Sequence, residues 1–334
     1  MRVGMTYDLK DEYLAAGYSS EEVAELDSEA TVEAIEKALR TQGHQVERVG
    51  NVGGLVQALA SGRRWDLVFN IAEGMRGLGR ESQIPALLDA WGIPYTFSGP
   101  ELLALTLHKG WTNAVIRAHG LPTADFWIVS GQDVVEEIDL PFPLFVKPVA
   151  EGSSRGVSAR SLVRNRRELR EVCAQILETY SQSALVETYL PGREFTVGIL
   201  GSGRGARVLG VMEILCTSEG DQTAYTYENK QQWTARVHYA LVTDEKALLA
   251  ADLALEAWQA LGCLDAGRVD VRLDGQGRAR FLEVNPLAGL NPESSDLPIL
   301  CHKIGLEYDM LIAQIMNSAV ARAKSTGLLS EAVV

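Results

Sequence analysis

Two alternating runs around a glycine turn constrain this chain most: Gly267-Arg-Val-Asp-Val-Arg-Leu-Asp-Gly-Gln-Gly-Arg-Ala-Arg-Phe-Leu-Glu-Val-Asn-Pro286. Period-two alternation on both sides of Asp274-Gly275-Gln276-Gly277 predicts a β-hairpin. If Leu273 pairs with Arg278, one face collects Arg268, Asp270, Phe281, Glu283 and Asn285, because alternate residues of a strand share a face. Two carboxylates, an amide oxygen and a guanidinium then stand side by side. Hard cations such as Mg²⁺ take oxygen donors of this kind, with waters and phosphate oxygens completing the shell. The same residues also read as a solvated sheet face with an Arg/Asp/Glu cluster.

At 334 residues, the chain has material for two or three domains and an ample core. Its 31 Lys and Arg against 44 Asp and Glu leave a formal charge of −13. That balance argues against a nucleic-acid or anionic-membrane partner, so an anionic ligand must be held by a local basic site. The cysteines Cys173, Cys216, Cys263 and Cys301 are far apart and form no CxxC motif; they read as core residues in a reducing compartment. The first residues carry no long apolar run of the signal-peptide kind, and no stretch of about 18 apolar residues occurs. These features predict a cytoplasmic protein.

Strands and helices alternate over residues 1–100: strands at 1–7, 46–49 and 66–71, helices over 29–42, 52–61 and 83–91. The pattern predicts a small, mainly parallel, doubly wound domain. Within it, the acidic stretch 8–27 reads as a solvated excursion. Ala72-Glu-Gly-Met-Arg-Gly-Leu-Gly-Arg-Glu81 is a Gly-rich loop at a strand's carboxyl end, where ligands of open α/β sheets collect. No G-x-G-x-x-G follows a strand here, so dinucleotide binding is not supported. One helix is expected over 102–118, carrying Lys109. A strand ending in Lys147 leads into Val149-Ala-Glu-Gly-Ser-Ser-Arg-Gly-Val157. Such a small-residue loop, rich in backbone N–H groups, can wrap phosphate oxygens with the lysine as counter-charge; it also reads as a plain hairpin turn. The basic run from Arg160 to Arg170 is a solvated face. Residues 217–236, polar and Tyr-rich, are expected to form a mobile loop over a site. Helices are expected over 168–180, 245–261 and 306–322, a turn-rich polar segment over 287–298, and a frayed end.

Taken together, these motifs resemble the ATP-grasp superfamily and, within it, the D-alanine–D-alanine ligase family. Gly92-Ile-Pro-Tyr-Thr-Phe-Ser98 is similar to that family's G-[IL]-P-Y-T-G-S, with Phe97 in place of Gly. His108-Lys109 stands for its D-K. Lys147-Pro-x-x-Glu-Gly-Ser-Ser-x-Gly156, Gly192-x-Glu-Phe-Thr-Val197, Gly267-Arg-Val-Asp270 and Glu283-Val-Asn285 follow in the family's order. The resemblance implies an α/β chain (α+β overall) with the ATP-grasp fold. Its parts would be an N-terminal doubly wound domain (1–105), a small central α+β domain with the phosphate loop (106–190), a C-terminal antiparallel-sheet domain with the metal site (191–322) and a tail (323–334).

It also implies roles. Lys109 and Lys147 would hold phosphates of ATP, Glu187 and the backbone to Leu190 the adenine, and Glu194 the ribose. Ser153 and Ser154 would close over the γ-phosphate, which Lys230 would also reach. Asp270, Glu283 and Asn285 would bind two Mg²⁺, or Mn²⁺ in their place. Arg268 and the backbone N–H near Gly289 would stabilise the oxyanion of an amide-forming reaction. The implied activity is ATP-dependent joining of a carboxylate to an amine through an acyl phosphate, on small amino-acid-like substrates, in a homodimer. Ligation of other amino acids or small amines, and an ATP-binding module without chemistry, are the alternatives.

Departures from the pattern fall on the substrate pockets. The family's G-G-x-S-x-E element has no clear equivalent after Gly4-Met-Thr-Tyr-Asp8; Glu25 or Glu29 are candidates for its Glu. Asn70-Ile-Ala-Glu-Gly74 stands where the family has His-Gly, while Glu81 falls near a family acid. The loop tyrosine is replaced by Gln231. Ser294 or Ser295 are candidates for holding a substrate carboxylate, with Glu293 and Asp296 beside them as repelling charges. A cationic or amine-rich acceptor, or a bulkier amino acid, fits this pattern as well as D-alanine does.

Overall fold

The structure, a computed structural model, describes residues 1–216 and 237–330. Three sheets organise it. Strands Arg2–Thr6 (β1), Gln45–Gly50 (β2) and Leu67–Asn70 (β3) form a parallel sheet in the order β2-β1-β3. Parallel neighbours need crossovers, and two helices supply them. Lys10–Ala15 (α1) precedes the first of these, Glu29–Thr41 (α2); the second is Val52–Ala60 (α3). Ser28 caps α2 by accepting the Thr31 N–H, and Val32, Ile35, Ala38 and Leu39 are buried along one stripe. Each of those larger side chains contributes about 1.5–3 kcal/mol through burial.

The acidic stretch 8–27 is not the solvated excursion its composition suggests. Val23 and Leu26 are buried, and the Lys10 N–H donates to Asp27 O while the Asp27 N–H donates to Asp8 O. Asp8 accepts from Gly74 N at 2.9 Å. The segment is a strap, pinned across the carboxyl end of the parallel sheet by two apolar anchors that its acidic neighbours obscure.

After Gln83–Ala90 (α4), the helix expected over 102–118 is broken in two. Pro100–Leu107 (α5) and Lys109–Ala118 (α6) meet at His108, whose ψ of 89° leaves the helical region and whose ring accepts the Trp111 N–H. The break puts Lys109 at the first position of α6. At Phe97, where the family motif carries Gly, φ is 70°. Few bulky residues adopt that conformation. Phe97 holds it because it is wholly buried against Phe69 and its N–H donates to Asp265.

Strands Phe126–Val129 (β4), Leu144–Pro148 (β5), Leu162–Val163 (β6) and Ala184–Thr188 (β7) make an antiparallel sheet in the order β4-β7-β5-β6, backed by Arg166–Tyr180 (α7). The third sheet is also antiparallel. It comprises Glu194–Leu200 (β8), Arg207–Cys216 (β9), Val237–Leu241 (β10), Ala266–Leu273 (β11) and Ala279–Asn285 (β12), in the order β10-β9-β8-β11-β12. Glu245–Leu261 (α8) covers its inner face through Ala250, Ala254 and Trp258. Asp296–Lys303 (α9) lies partly in a segment expected to be all turn, and Tyr308–Ser325 (α10) closes the described chain. Leu311, Ile312, Ile315 and Met316 of α10 share one core with Val3 and Met5 of β1 and the buried stripe of α2. No described helix is long and apolar enough to cross a membrane.

Candidate active site

The hairpin is formed by β11 and β12, with a register different from the simple one. Arg268 faces Asn285 and Asp270 faces Glu283, after which the ladder shifts so that Val271 faces Phe281. Leu282 is the extra residue, a β-bulge. Phe281 therefore leaves the face assigned to it from alternation and is buried with Val269 and Val271. The bulge turns both Leu282 and Glu283 toward the cleft, a placement period two forbids. Arg268 pairs with Asp270 and lies 3.6 Å from Asp296. Asp270 also accepts from Thr196, its neighbour on β8. Burial pushes the Asp270 carboxyl up to about 6, against the pull of Arg268 and with the added push of Glu283. A carboxylate so placed gains by meeting a cation.

Opposite the hairpin stands the four-stranded sheet. Lys147 of β5 and Glu187 of β7 lie diagonally on one face and pair at 2.8 Å. Burial disfavours the Lys147 ammonium, but Glu187, Glu283 and Glu194 outweigh it and hold the lysine charged. Glu187 also accepts from Asn113 at 3.0 Å, so it positions Lys147 rather than standing open. Glu194 pairs with Arg272 at 3.1 Å, and Arg272 lies over the Tyr189 ring. Lys109 donates to Glu151 O at 2.6 Å and sits 3.5 Å from Glu283. The small-residue loop between them contains a tight turn: Ser153 and Ser154 have φ of 47° and 56°, and the Arg155 N–H donates to Gly152 O at 2.9 Å. The closing bond does not use the Ser153 and Ser154 N–H groups, and backbone N–H groups of a turn can form an anion-binding nest. Residues of both sheets and this loop line a narrow slot of about 90 Å³.

A second, wider cavity of about 430 Å³ adjoins it. Arg268, Gly289, Ser294 and Ser295 line one side; Asp27, Glu73 and Glu81 line another. Arg80 pairs with Glu25 of the strap at 2.7 Å and donates to Ala150 O at 2.9 Å, joining strap to phosphate loop. Ser295 Oγ accepts the Asn291 N–H. Asp296 is buried and held by Tyr239 at 2.8 Å as well as by Arg268. Its charge is thus matched, and the repulsion expected beside the serines comes from exposed Glu293 alone.

The family model described as "D-ala D-ala ligase C-terminus" matches residues 115–317. Over 322 residues the chain is 36% identical to the D-alanine–D-alanine ligase of Gluconobacter oxydans, covering 94% of this chain and 100% of that one. It is 36% identical over 317 residues to the enzyme of that name from Acidiphilium cryptum, covering 92% and 98%. A crystal structure of D-alanine–D-alanine ligase from Bacillus anthracis complexed with ATP matches the fold with a TM-score of 0.74, at 20% identity, over 98% of this chain and 100% of that one.

The chain belongs to the D-alanine–D-alanine ligase family. It is an ATP-grasp ligase with the three-sheet architecture of that fold. In this family member the structure brings Lys109, Lys147, Ser153, Ser154, Glu187, Leu190, Glu194, Arg268, Asp270 and Glu283 to the slot, and Glu81, Asn285, Gly289, Ser294 and Ser295 to the cavity beside it. Lys230 and Gln231 lie outside the described residues. Of the two candidates for the family's N-terminal Glu, Glu25 lines the cavity and pairs with Arg80, whereas Glu29 pairs with Arg48 and does not line it. Reasoning from sequence missed Thr196, Asp27, Arg80 and the matched state of Asp296. Thr196 was legible in the Gly192–Val197 motif, since strand pairing brings that motif beside Asp270; Asp27 and Arg80 carried no sequence signal.

Proposed function

We propose that this ligase activates the carboxylate of one amino acid with ATP and joins it to the amine of a second, with D-alanine as the reference substrate by its relatives' names. One observation carries the reading: a lysine-flanked nest of backbone N–H groups faces a carboxylate pair and an arginine across a slot, and an amino-acid-sized cavity opens beside the arginine. Lys109 and Lys147 neutralise phosphate oxygens, the nest at Ser153 and Ser154 covers the terminal phosphate, and the backbone from Glu187 to Leu190 meets the base. Glu194 serves the ribose.

Asp270, Glu283 and Asn285 suit Mg²⁺. They supply two carboxylates and an amide oxygen, short of a protein-only cage, and no described group of three or more His, Cys, Asp or Glu could hold a metal. Mg²⁺ prefers such partial sites, keeping waters and phosphates as its other ligands. When bound, the metal screens the phosphate charge. The carboxylate oxygen of the first substrate attacks the γ-phosphorus and ADP leaves, giving an acyl phosphate. The second substrate's amine attacks the acyl carbon, and phosphate departs. Arg268 and the Gly289 N–H stabilise the oxyanion, and Ser294 or Ser295 receives the second substrate's carboxylate. Trapping with hydroxylamine in the presence of ATP, Mg²⁺ and an amino acid tests this: an amino-acyl hydroxamate with stoichiometric ADP is expected, and a stable phosphorylated product instead would mean a kinase.

A further inference from the structure

One wall of the wide cavity takes no part in the chemistry above. Asp27 and Glu25 reach it from the strap, and Glu73 and Glu81 from the Gly-rich loop. We propose, resting on the ligase reading, that the first substrate carries a second cationic group, as a diamino acid does, and that its amines lie along this wall while its carboxylate reaches Arg268.

Charge matching is the first argument. On the reacting side Lys109 faces Glu283 and Arg268 faces Asp270 and Asp296, so each of those carboxylates has a cation beside it. On the acid wall, four carboxylates share Arg80, paired with Glu25, Lys10, which lines the cavity, and the pull of Lys109 on Glu81. Even Glu25 keeps one buried oxygen, Oε1, without a hydrogen-bond partner. Glu73 and Glu81 are half-buried at the cavity wall and have no hydrogen-bond or ion-pair partner among the described residues. A single ammonium engages one part of this wall; two ammonium groups engage it along its length and draw its carboxyls into their charged form.

Shape is the second argument. The wall's carboxylates form no group of three or more His, Cys, Asp or Glu that could hold a metal among the described residues. They are spread along a surface, which suits separated organic cations. The cavity's volume of about 430 Å³, within the roughly 300–1,000 Å³ range of small-molecule pockets, has room for two amino acids side by side, one of them extended along the acid wall. Desolvation supports the same conclusion: burial pushes Glu81, against the pull of Arg80 and Lys109, and Asp27, with the added push of Asp8, up to about 7.

The test is ADP release with ATP and Mg²⁺ at pH 8. Lysine, ornithine and 2,4-diaminobutyrate, in both configurations, are compared as first substrate with norleucine, norvaline, 2-aminobutyrate and alanine. A kcat/KM preference for the diamino acids of about 100-fold is expected, the scale at which a buried charged partner is left unmatched. Glu73→Gln should bring that ratio down toward one, mainly through KM, and a retained ATP-dependent rise in melting temperature shows that the variant is folded. Turnover of alanine or norleucine equal to or above that of every diamino acid overturns the inference and leaves the ligase reading standing. ADP release with no amino acid at all overturns both.

Discussion

Arg268 is the residue on which the amide-forming step most depends. It is enclosed between Asp270 and Asp296, so it does not reorganise as charge develops. Loss of one fixed oxyanion donor typically costs 10²–10³ in kcat. Arg268→Ala is expected to lower kcat by about that factor with little change in the apparent affinity for ATP, as measured by steady-state ADP release. The acid wall gives a second expectation. Folded Asp27 and Glu81 hold protons up to about pH 7, whereas unfolded carboxyls release theirs near pH 4. The folded state therefore binds more protons between those values, and stability falls as pH rises through that window. Thermal unfolding without ligand should show a lower Tm at pH 8 than at pH 5, and Glu73→Gln with Glu81→Gln should flatten the slope.

At the scale of elements, the strap and the phosphate loop behave as one piece. Gly152 shows how close they are: a Cβ there would lie 2.3 Å from Glu25 Oε1. Arg80 binds to both, so Arg80→Ala leaves Glu25 buried without its partner. Breaking a buried pair costs about 3–5 kcal/mol, and chemical denaturation should show a loss of that order. A rise in KM for ATP should accompany it, because the nest loses its support at Ala150. A lack of effect on KM would mean the strap closes only the amino-acid cavity. The strap was hidden from sequence reasoning because acidic residues outnumber its two anchors, Val23 and Leu26. The break at His108 was hidden because neither Gly nor Pro marks it. By contrast, the cap at Ser28 and the apolar stripe of α2 were plain, since capping and 3.6-residue periodicity are local. The face of the hairpin was legible down to Phe281, where the bulge, set by packing on α8 and β8, replaced strict alternation.

For the whole molecule, Asp265 is the knot between the parts. It is fully buried, accepts from Phe97 N at 2.8 Å and Ser318 at 2.8 Å, and pairs with Arg322 of α10 at 2.9 Å. Asp265→Ala is expected to cost roughly 3–5 kcal/mol by denaturant unfolding, and to do so cooperatively, since the residue joins the first sheet to the last helix. Fold and slot were readable because each motif is a contiguous run on one strand, hairpin or loop; the amino-acid cavity was not, because its walls come from segments distant in sequence. The shared core of β1, α2 and α10 also bears on synthesis. Ribosomes add about 5–20 residues per second, so the apolar stripe completed at Leu39 emerges roughly 15–55 s before Leu311 can cover it. During that interval the nascent sheet has a bare greasy flank, and a slower decoding rate late in the message would lengthen its exposure to chaperones and to aggregation.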